Sequence, residues 1–172
     1  MQVMTTLPQE NLNDVPQAAR NAEMVGFDMI ATMENRYEPF MPLAAAAIST
    51  KTINIGTAVA IAFPRSPMVV ASTCWDLNNA SGGRFVLGLG PQIKPHNEKR
   101  FSVPWSPPAP RIREYVLALR AIWKTWEHGE KLDFRGEHYT FTLMTPNFVP
   151  VSTHQAPIPV TIAAVGPHTL KL

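Results

Sequence analysis

One cysteine, five histidines and thirteen acidic residues supply most of the groups in this chain that could ligate a metal or carry a proton. Cys74 has no partner for a disulfide, and neither a CxxC pair nor a His-rich spacing marks a metal site. Its apolar, helical neighbourhood predicts a buried core thiol rather than a nucleophile. His96 stands in the polar segment QIKPHNEKRF (92–101). An imidazole there is either simply solvated or, if it sits at a strand end, available to a reacting group. Gly88-Leu89-Gly90 follows a run of strand character and resembles the opening of a dinucleotide-binding loop. The third glycine is missing, however, and Pro91-Gln92-Ile93-Lys94-Pro95 replaces the helix start that such a loop needs. Trp123 and Trp126 fall on one helix face and read as core, which leaves Trp105, in a proline-rich segment, as the tryptophan that could wall a pocket.

Apolar spacing shows the elements that must position these groups. The chain has 172 residues, 45% of them hydrophobic, 17 prolines and a net charge of +2, the composition of a folded chain rather than a disordered one. The prolines cluster around 104–110 and 146–159, which predicts two ordered but irregular connections. Basic residues alternate with acidic ones, as in Glu98-Lys99-Arg100, so the basic stripe of a nucleic-acid binder is absent. No apolar stretch approaches the roughly 20 residues of a membrane span. Residues 1–11 lack the basic-then-apolar pattern of a signal peptide, and the expectation is a cytoplasmic protein.

Asp14 reads as a helix cap with Pro16 in the first turn, followed by Ala18, Ala19, Ala22 and Val25 at helical spacing and a stop at Gly26. Residues 27–33 are short and apolar enough for a buried strand. Residues 41–49, with four consecutive alanines, predict a helix that packs closely on a sheet. Residues 53–63 read as a central strand. Ser66-Pro67 opens a helix carrying Met68, Val69, Ala71, Trp75 and Leu77, which ends at Ser81-Gly82-Gly83; a further strand covers 84–89. The clearest helix is 111–128, with Ile112, Val116, Leu119, Ile122, Trp123 and Trp126 on one face and Gly129 closing it. Residues 132–141 predict a small extended excursion turning at Gly136, and 159–165 a last strand. Strand–helix units recurring at intervals of about 25 to 35 residues predict an α/β fold with a parallel sheet. A doubly wound sheet and a (β/α)8 barrel both fit.

Several segments taken together resemble a known family. Gly26-Phe27-Asp28, TKTINIGT (50–57) and SGGRFVLGLG (81–90) are similar to the luciferase-like flavin and deazaflavin oxidoreductases. AIAFPRSP (60–67), QIKPHNEKRF (92–101) and LDFRGEHYTFTLMTP (132–146) resemble the branch that uses coenzyme F420. The likeness runs from about residue 7 to residue 167. It implies a TIM-type barrel whose active-site groups lie on loops after the strands. Residues 1–172 would then be the N-terminal part of that one domain, about its first five strand–helix units. It also implies a bulge in the third strand, with a non-prolyl cis peptide at Ala58-Val59 that backs the tricyclic ring. Gly90, Gln92 and His96 match positions lining the cofactor cleft, and Ala164, Val165 and Gly166 match a segment whose backbone approaches the cofactor. Small residues suit that last role, since a side chain would block close approach. Glu34 and His96 are the candidate catalytic proton carriers. No metal is implied.

Two departures bear on activity. Members of the branch commonly carry His-Asp before Pro-Phe at the end of the second strand, whereas this chain has Tyr37-Glu38. A tyrosine hydroxyl, with a reference pKa of about 10, is a poor proton shuttle at neutral pH. Full barrels also take about 250 residues, so the chain is expected to be truncated before closure, with open strand edges that favour homo-oligomers. The leading expectation is hydride transfer between coenzyme F420 and a small organic substrate. The alternatives are an FMN-dependent monooxygenase of the same fold and a non-catalytic remnant or interaction subunit.

Overall fold

The computed structural model describes residues 1–152, 155–164, 166 and 169–171. Its elements, in chain order, begin with strand β1 (Met4–Thr6), a 3-10 turn (Leu12–Asp14), helix α1 (Val15–Val25), strand β2 (Met29–Thr32) and helix α2 (Phe40–Ser49). Strands β3 (Asn54–Thr57) and β4 (Ala60–Ile61), helix α3 (Pro67–Ala80) and strand β5 (Phe85–Gly90) follow. A π-helical turn (His96–Arg100) leads to the long helix α4 (Pro108–His128) and a hairpin of β6 (Phe134–Arg135) and β7 (Thr140–Phe141). A 3-10 turn (Pro146–Phe148), strand β8 (Val160–Ile162) and a last 3-10 turn (Thr169–Lys171) complete the list of elements. The chain divides into two compact units. The first comprises Met1–Ala60, Thr73–Leu89 and Gln155–Ala163, and the second Ile61–Ser72, Gly90–His154 and Ala164–Leu172.

The first unit is built on a parallel sheet. β1, β2, β3, β5 and β8 lie side by side in that order, with Ile30 opposite Ile55, Ile55 opposite Phe85 and Leu87 opposite Val160. Every pair is parallel, as strand–helix alternation predicts, and sequential strands with intervening helices are the repeating unit of a barrel. Ile30, Ile55, Phe85, Leu87 and Leu89 are completely buried, with Val15 and Ala19 of α1 and Leu43 and Ala46 of α2. Strand residues buried on both faces explain why these runs read as continuous apolar stretches rather than alternating ones.

Two charged side chains fasten the helices to the strand starts. The half-exposed Glu23 at the end of α1 accepts hydrogen bonds at Oε1 from the backbone N–H groups of Lys51 (2.8 Å), Thr52 (2.6 Å) and Ile53 (3.0 Å), and from the Thr52 hydroxyl (3.0 Å). Partial desolvation alone would raise its pKa. The donors outweigh it and hold the carboxyl down at about 2 against 4.5. Arg84, at the entry to β5, donates to the carbonyls of Ala47 (3.1 Å), Thr50 (3.0 Å), Ile53 (2.5 Å) and Ser81 (2.7 Å). It thereby satisfies carbonyls left over at the end of α2.

The second unit is organised by α4. Ile112, Tyr115, Ala118, Leu119, Ile122 and Trp126 are buried along one stripe; Val116, expected there, is only half-buried. Trp123 is buried as predicted, its indole N–H donating to the Ala71 carbonyl at 3.2 Å. The Arg111 guanidinium lies 4.3 Å over the Phe63 ring and bonds the Tyr139 hydroxyl at 3.1 Å. The excursion expected at 132–141 is the β6–β7 hairpin. Glu114 of α4 closes its turn by accepting from the N–H groups of Glu137 (3.1 Å), His138 (2.8 Å) and Tyr139 (2.7 Å).

Three local expectations need correction. Asp14 makes no capping bond; Asn11 instead accepts the Asn13 N–H at 3.1 Å, and a 3-10 turn leads into α1. The strand expected across 53–63 breaks in two at Ala58-Val59. On α3, Val69 is exposed at 60% and Val70 takes the inward position. Cys74 is fully buried, and burial pushes its thiol up, as expected of a core cysteine.

Candidate functional site

The end of β3 is tightly packed against β5. Thr57 turns its hydroxyl into the ladder, donating to the Gly88 carbonyl at 2.7 Å and accepting the Gly88 N–H at 2.9 Å. A Cβ built on Gly88 would overlap the Thr57 carbonyl oxygen and stand 3.2 Å from the Thr161 hydroxyl. The glycine that sequence suggested for a dinucleotide loop is therefore required by strand packing.

Beyond Thr57 the chain leaves the ladder. The Ala58-Val59 peptide is cis, in the place the family resemblance implied. Ala58 N–H donates to the Thr32 carbonyl at 2.7 Å, and the Val59 carbonyl accepts the Glu34 N–H at 3.3 Å. The bulge is thus tied to the last residue of β2 and to the loop after it. Ala58 and Val59 are half-exposed, between Thr57 at 2% and Ala60 at 1% exposure. They form a small apolar surface in an otherwise buried stretch. Glu34, Ala58 and Val59 are brought together here.

The loop from Met33 to Pro39 has its own fastenings. The Thr32 hydroxyl donates to the Pro39 carbonyl at 2.7 Å. Glu38 accepts the N–H groups of Phe40 (2.7 Å) and Met41 (2.8 Å), satisfying free donors at the start of α2. Tyr37 is exposed at 40%. Together with the loop after β1, this segment borders an open concavity of about 490 Å³ lined by Leu7, Gln9, Glu10, Met33, Arg36 and Tyr37, among others.

In the second unit, Gly90, Gln92 and His96 share one loop. Gly90 is buried and its carbonyl accepts the Ala62 N–H at 2.9 Å. Gln92 has a left-handed backbone, φ 57°, and its carboxamide accepts the N–H of Ile93 at 2.8 Å. His96 is exposed at the first position of the π-helical turn, a feature frequent at functional sites. Asn97 fixes the loop: it is fully buried and donates to the carbonyls of Pro91 (3.0 Å) and Ile93 (3.1 Å). Nothing in a run of polar residues marks Asn97 as the buried one, and sequence reasoning passed over it. Ala164 and Gly166 follow β8 and are half-buried. A Cβ on Gly166 would meet nothing within 4 Å. Val165, expected to join them, lies outside the described residues. Trp105 borders a second concavity of about 280 Å³ with Ser106, Arg111 and His138.

The profile of the luciferase-like monooxygenase family matches residues 1–172. The chain belongs to that family. Over 150 residues it is 53% identical to the uncharacterized protein Rv1360 of Mycobacterium tuberculosis, covering 87% of this chain and 44% of that protein. Over 168 residues it is 32% identical to the 5,10-methylenetetrahydromethanopterin reductase of Archaeoglobus fulgidus, covering 96% and 48%. The chain thus spans about half the length of the curated relatives it matches. Among solved structures it superposes on the coenzyme F420-dependent tetrahydromethanopterin reductase of Methanopyrus kandleri with a TM-score of 0.76 at 24% identity, covering 99% of this chain and 52% of that one. The oxygenating constituent of 3,6-diketocamphane monooxygenase from Pseudomonas putida, in complex with FMN, gives 0.71 at 18% identity, covering 93% and 51%. These likenesses identify the fold as the TIM-type barrel of the luciferase-like enzymes, of which the parallel sheet here is a part, without closure. Family members are oxidoreductases and monooxygenases. No helix among the described residues is long and apolar enough to cross a membrane.

Proposed function

We propose that this chain supplies part of a coenzyme F420-dependent oxidoreductase that moves a hydride between the deazaflavin and a small organic substrate. The observation that supports this reading is the likeness across nearly the whole chain to a 5,10-methylenetetrahydromethanopterin reductase, 32% identical, together with the superposition on a coenzyme F420-dependent reductase. The residues present fit a flat, largely apolar ring. Ala58 and Val59 offer two small apolar side chains, half-exposed and backed by a bulge with fixed hydrogen bonds. When bound, the deazaflavin supplies the two-electron chemistry, as cofactors do for hydride transfer generally.

The chain's own contribution is orientation and proton handling. Ala58 and Val59 would back one ring face and exclude water from it. Glu34, its backbone anchored to the Val59 carbonyl, is the carboxylate that would take or give the proton accompanying hydride transfer. In the second unit we assign cofactor contacts to Gly90, Gln92, Ala164 and Gly166. His96, exposed on the same loop, is assigned as a further proton carrier.

Titrating the purified chain with coenzyme F420 and separately with FMN, followed by cofactor absorbance and fluorescence, tests the reading. Saturable F420 binding is expected, weakened by Val59→Asp while the circular dichroism stays unchanged. Preference for FMN would move the assignment to a monooxygenase, and failure to bind either would overturn it.

A further inference from the structure

The pocket after β1 and β2 is rich in hydrogen-bond donors. Gln9, Arg36 and Tyr37 line it, with Leu7, Pro8 and Met33 as its apolar walls. Its volume of about 490 Å³ falls within the range of small-molecule sites. Gln9 is the unusual member. Its Oε1 accepts the Met33 N–H over a long 3.3 Å, which sets the carboxamide orientation. Nε2 is then left shielded from solvent with no hydrogen-bond partner. A buried donor without an acceptor is costly, and native structures rarely leave one without a reason. The bond that holds it is near the weak end of the hydrogen-bond range, and Met33 is exposed at 44%, so water can serve its N–H. A small swing of the carboxamide therefore exchanges a poor bond for a good one to any acceptor oxygen entering the pocket.

The donors favour a particular acceptor. The Arg36 guanidinium is exposed and has no ion-pair partner among the described residues. The one carboxylate lining the pocket, Glu10, accepts the Gln9 backbone N–H at 3.2 Å through one of its oxygens and keeps its charge, so the pocket carries one cation and one anion. Amide, guanidinium and phenol donors around apolar walls suit a group that only accepts and carries negative charge. We propose that this pocket holds the carboxylate of a small organic acid, gripped by Gln9 and Arg36, and that this acid is the substrate. The last clause rests on the oxidoreductase reading above; the binding site does not.

The test uses the isotopically labelled full chain, with propionate and benzoate as probes and propanol and chloride as controls, followed by nuclear magnetic resonance. Saturable shifts of the Gln9 side-chain amide and the Arg36 Nε–H are expected with both acids. Gln9→Met, which keeps the shape but removes the donors, should weaken binding about tenfold, and Arg36→Gln should do the same from an exposed position where folding is not at risk. Equal shifts with chloride, no saturable response to either acid, or undiminished binding in Arg36→Gln would overturn the proposal. Titration of the same samples with coenzyme F420 separates the two readings. Acid binding without F420 binding removes the oxidoreductase but keeps the site, and the converse removes the site alone.

Discussion

Gly88→Ala separates a packing role from a cofactor role. The new methyl group would overlap the Thr57 carbonyl oxygen, a backbone atom that cannot rotate away. Relief requires β3 and β5 to separate, which would also stretch the two bonds between the Thr57 hydroxyl and the Gly88 backbone. Overpacking in a dense core costs about 1–3 kcal/mol, and each buried hydrogen bond about 1 kcal/mol. The expected loss is therefore about 3–5 kcal/mol, a large share of the roughly 5–15 kcal/mol by which domains are stable. With a urea m-value of about 2 kcal/mol/M, the unfolding midpoint should fall by about 2 M. A dinucleotide-loop glycine would behave differently, leaving the midpoint in place and weakening only ligand binding. A shift below about 0.3 M would show that Thr57 has room to yield and would refute the packing argument.

Other perturbations test the remaining joints. Gly166→Ala should leave the stability within about 0.5 kcal/mol of wild type, as expected for changes that meet no neighbour, because its Cβ enters open space. The same variant should bind coenzyme F420 more weakly if the cofactor approaches that backbone. Glu23 has a folded pKa of about 2 against 4.5, so its stabilisation is complete above about pH 4.5 and is lost as pH falls toward 2. In Glu23→Gln that acid-sensitive part, about 1–2 kcal/mol after discounting for solvent exposure, should vanish from a denaturation series across this range. Gly136→Ala would drive a methyl group into the Glu114 carboxylate that closes the β6–β7 turn. Hydrogen exchange at His138 and Tyr139 should accelerate about tenfold for the roughly 1–2 kcal/mol lost.

The strand–helix alternation was legible because most strands here are short, largely apolar runs and each helix ends at a glycine or polar stop. β1 (Met4–Thr6), mostly polar and largely exposed, was not foreseen. Gly26 and Gly129 both close helices with positive φ, as their positions predict. The break inside 53–63 was not legible from hydrophobicity, since Ala58 and Val59 are as strand-compatible as their neighbours; only resemblance pointed there. Gln9 and Asn97 escaped for a related reason. A polar residue in a polar loop carries no mark of burial, because burial is decided by which backbone carbonyls and N–H groups the loop must satisfy.

The departure at Tyr37-Glu38 divides along the same line. Glu38 bonds the Phe40 and Met41 N–H groups, a task that an aspartate or a glutamate can perform, so this half of the substitution preserves how α2 begins. Tyr37 lies in the wall of the donor-lined pocket instead. There its phenol can present a hydrogen bond to a group in the pocket. The change therefore leaves the start of α2 intact, and under the proposed oxidoreductase function proton handling would fall to other groups. Glu34, on the same loop and with its backbone anchored at the Ala58-Val59 bulge, is the carboxylate proposed above to inherit it. A Tyr37→His variant that gained a neutral-pH ionisation in its rate profile, with F420 affinity unchanged, is the outcome this division requires.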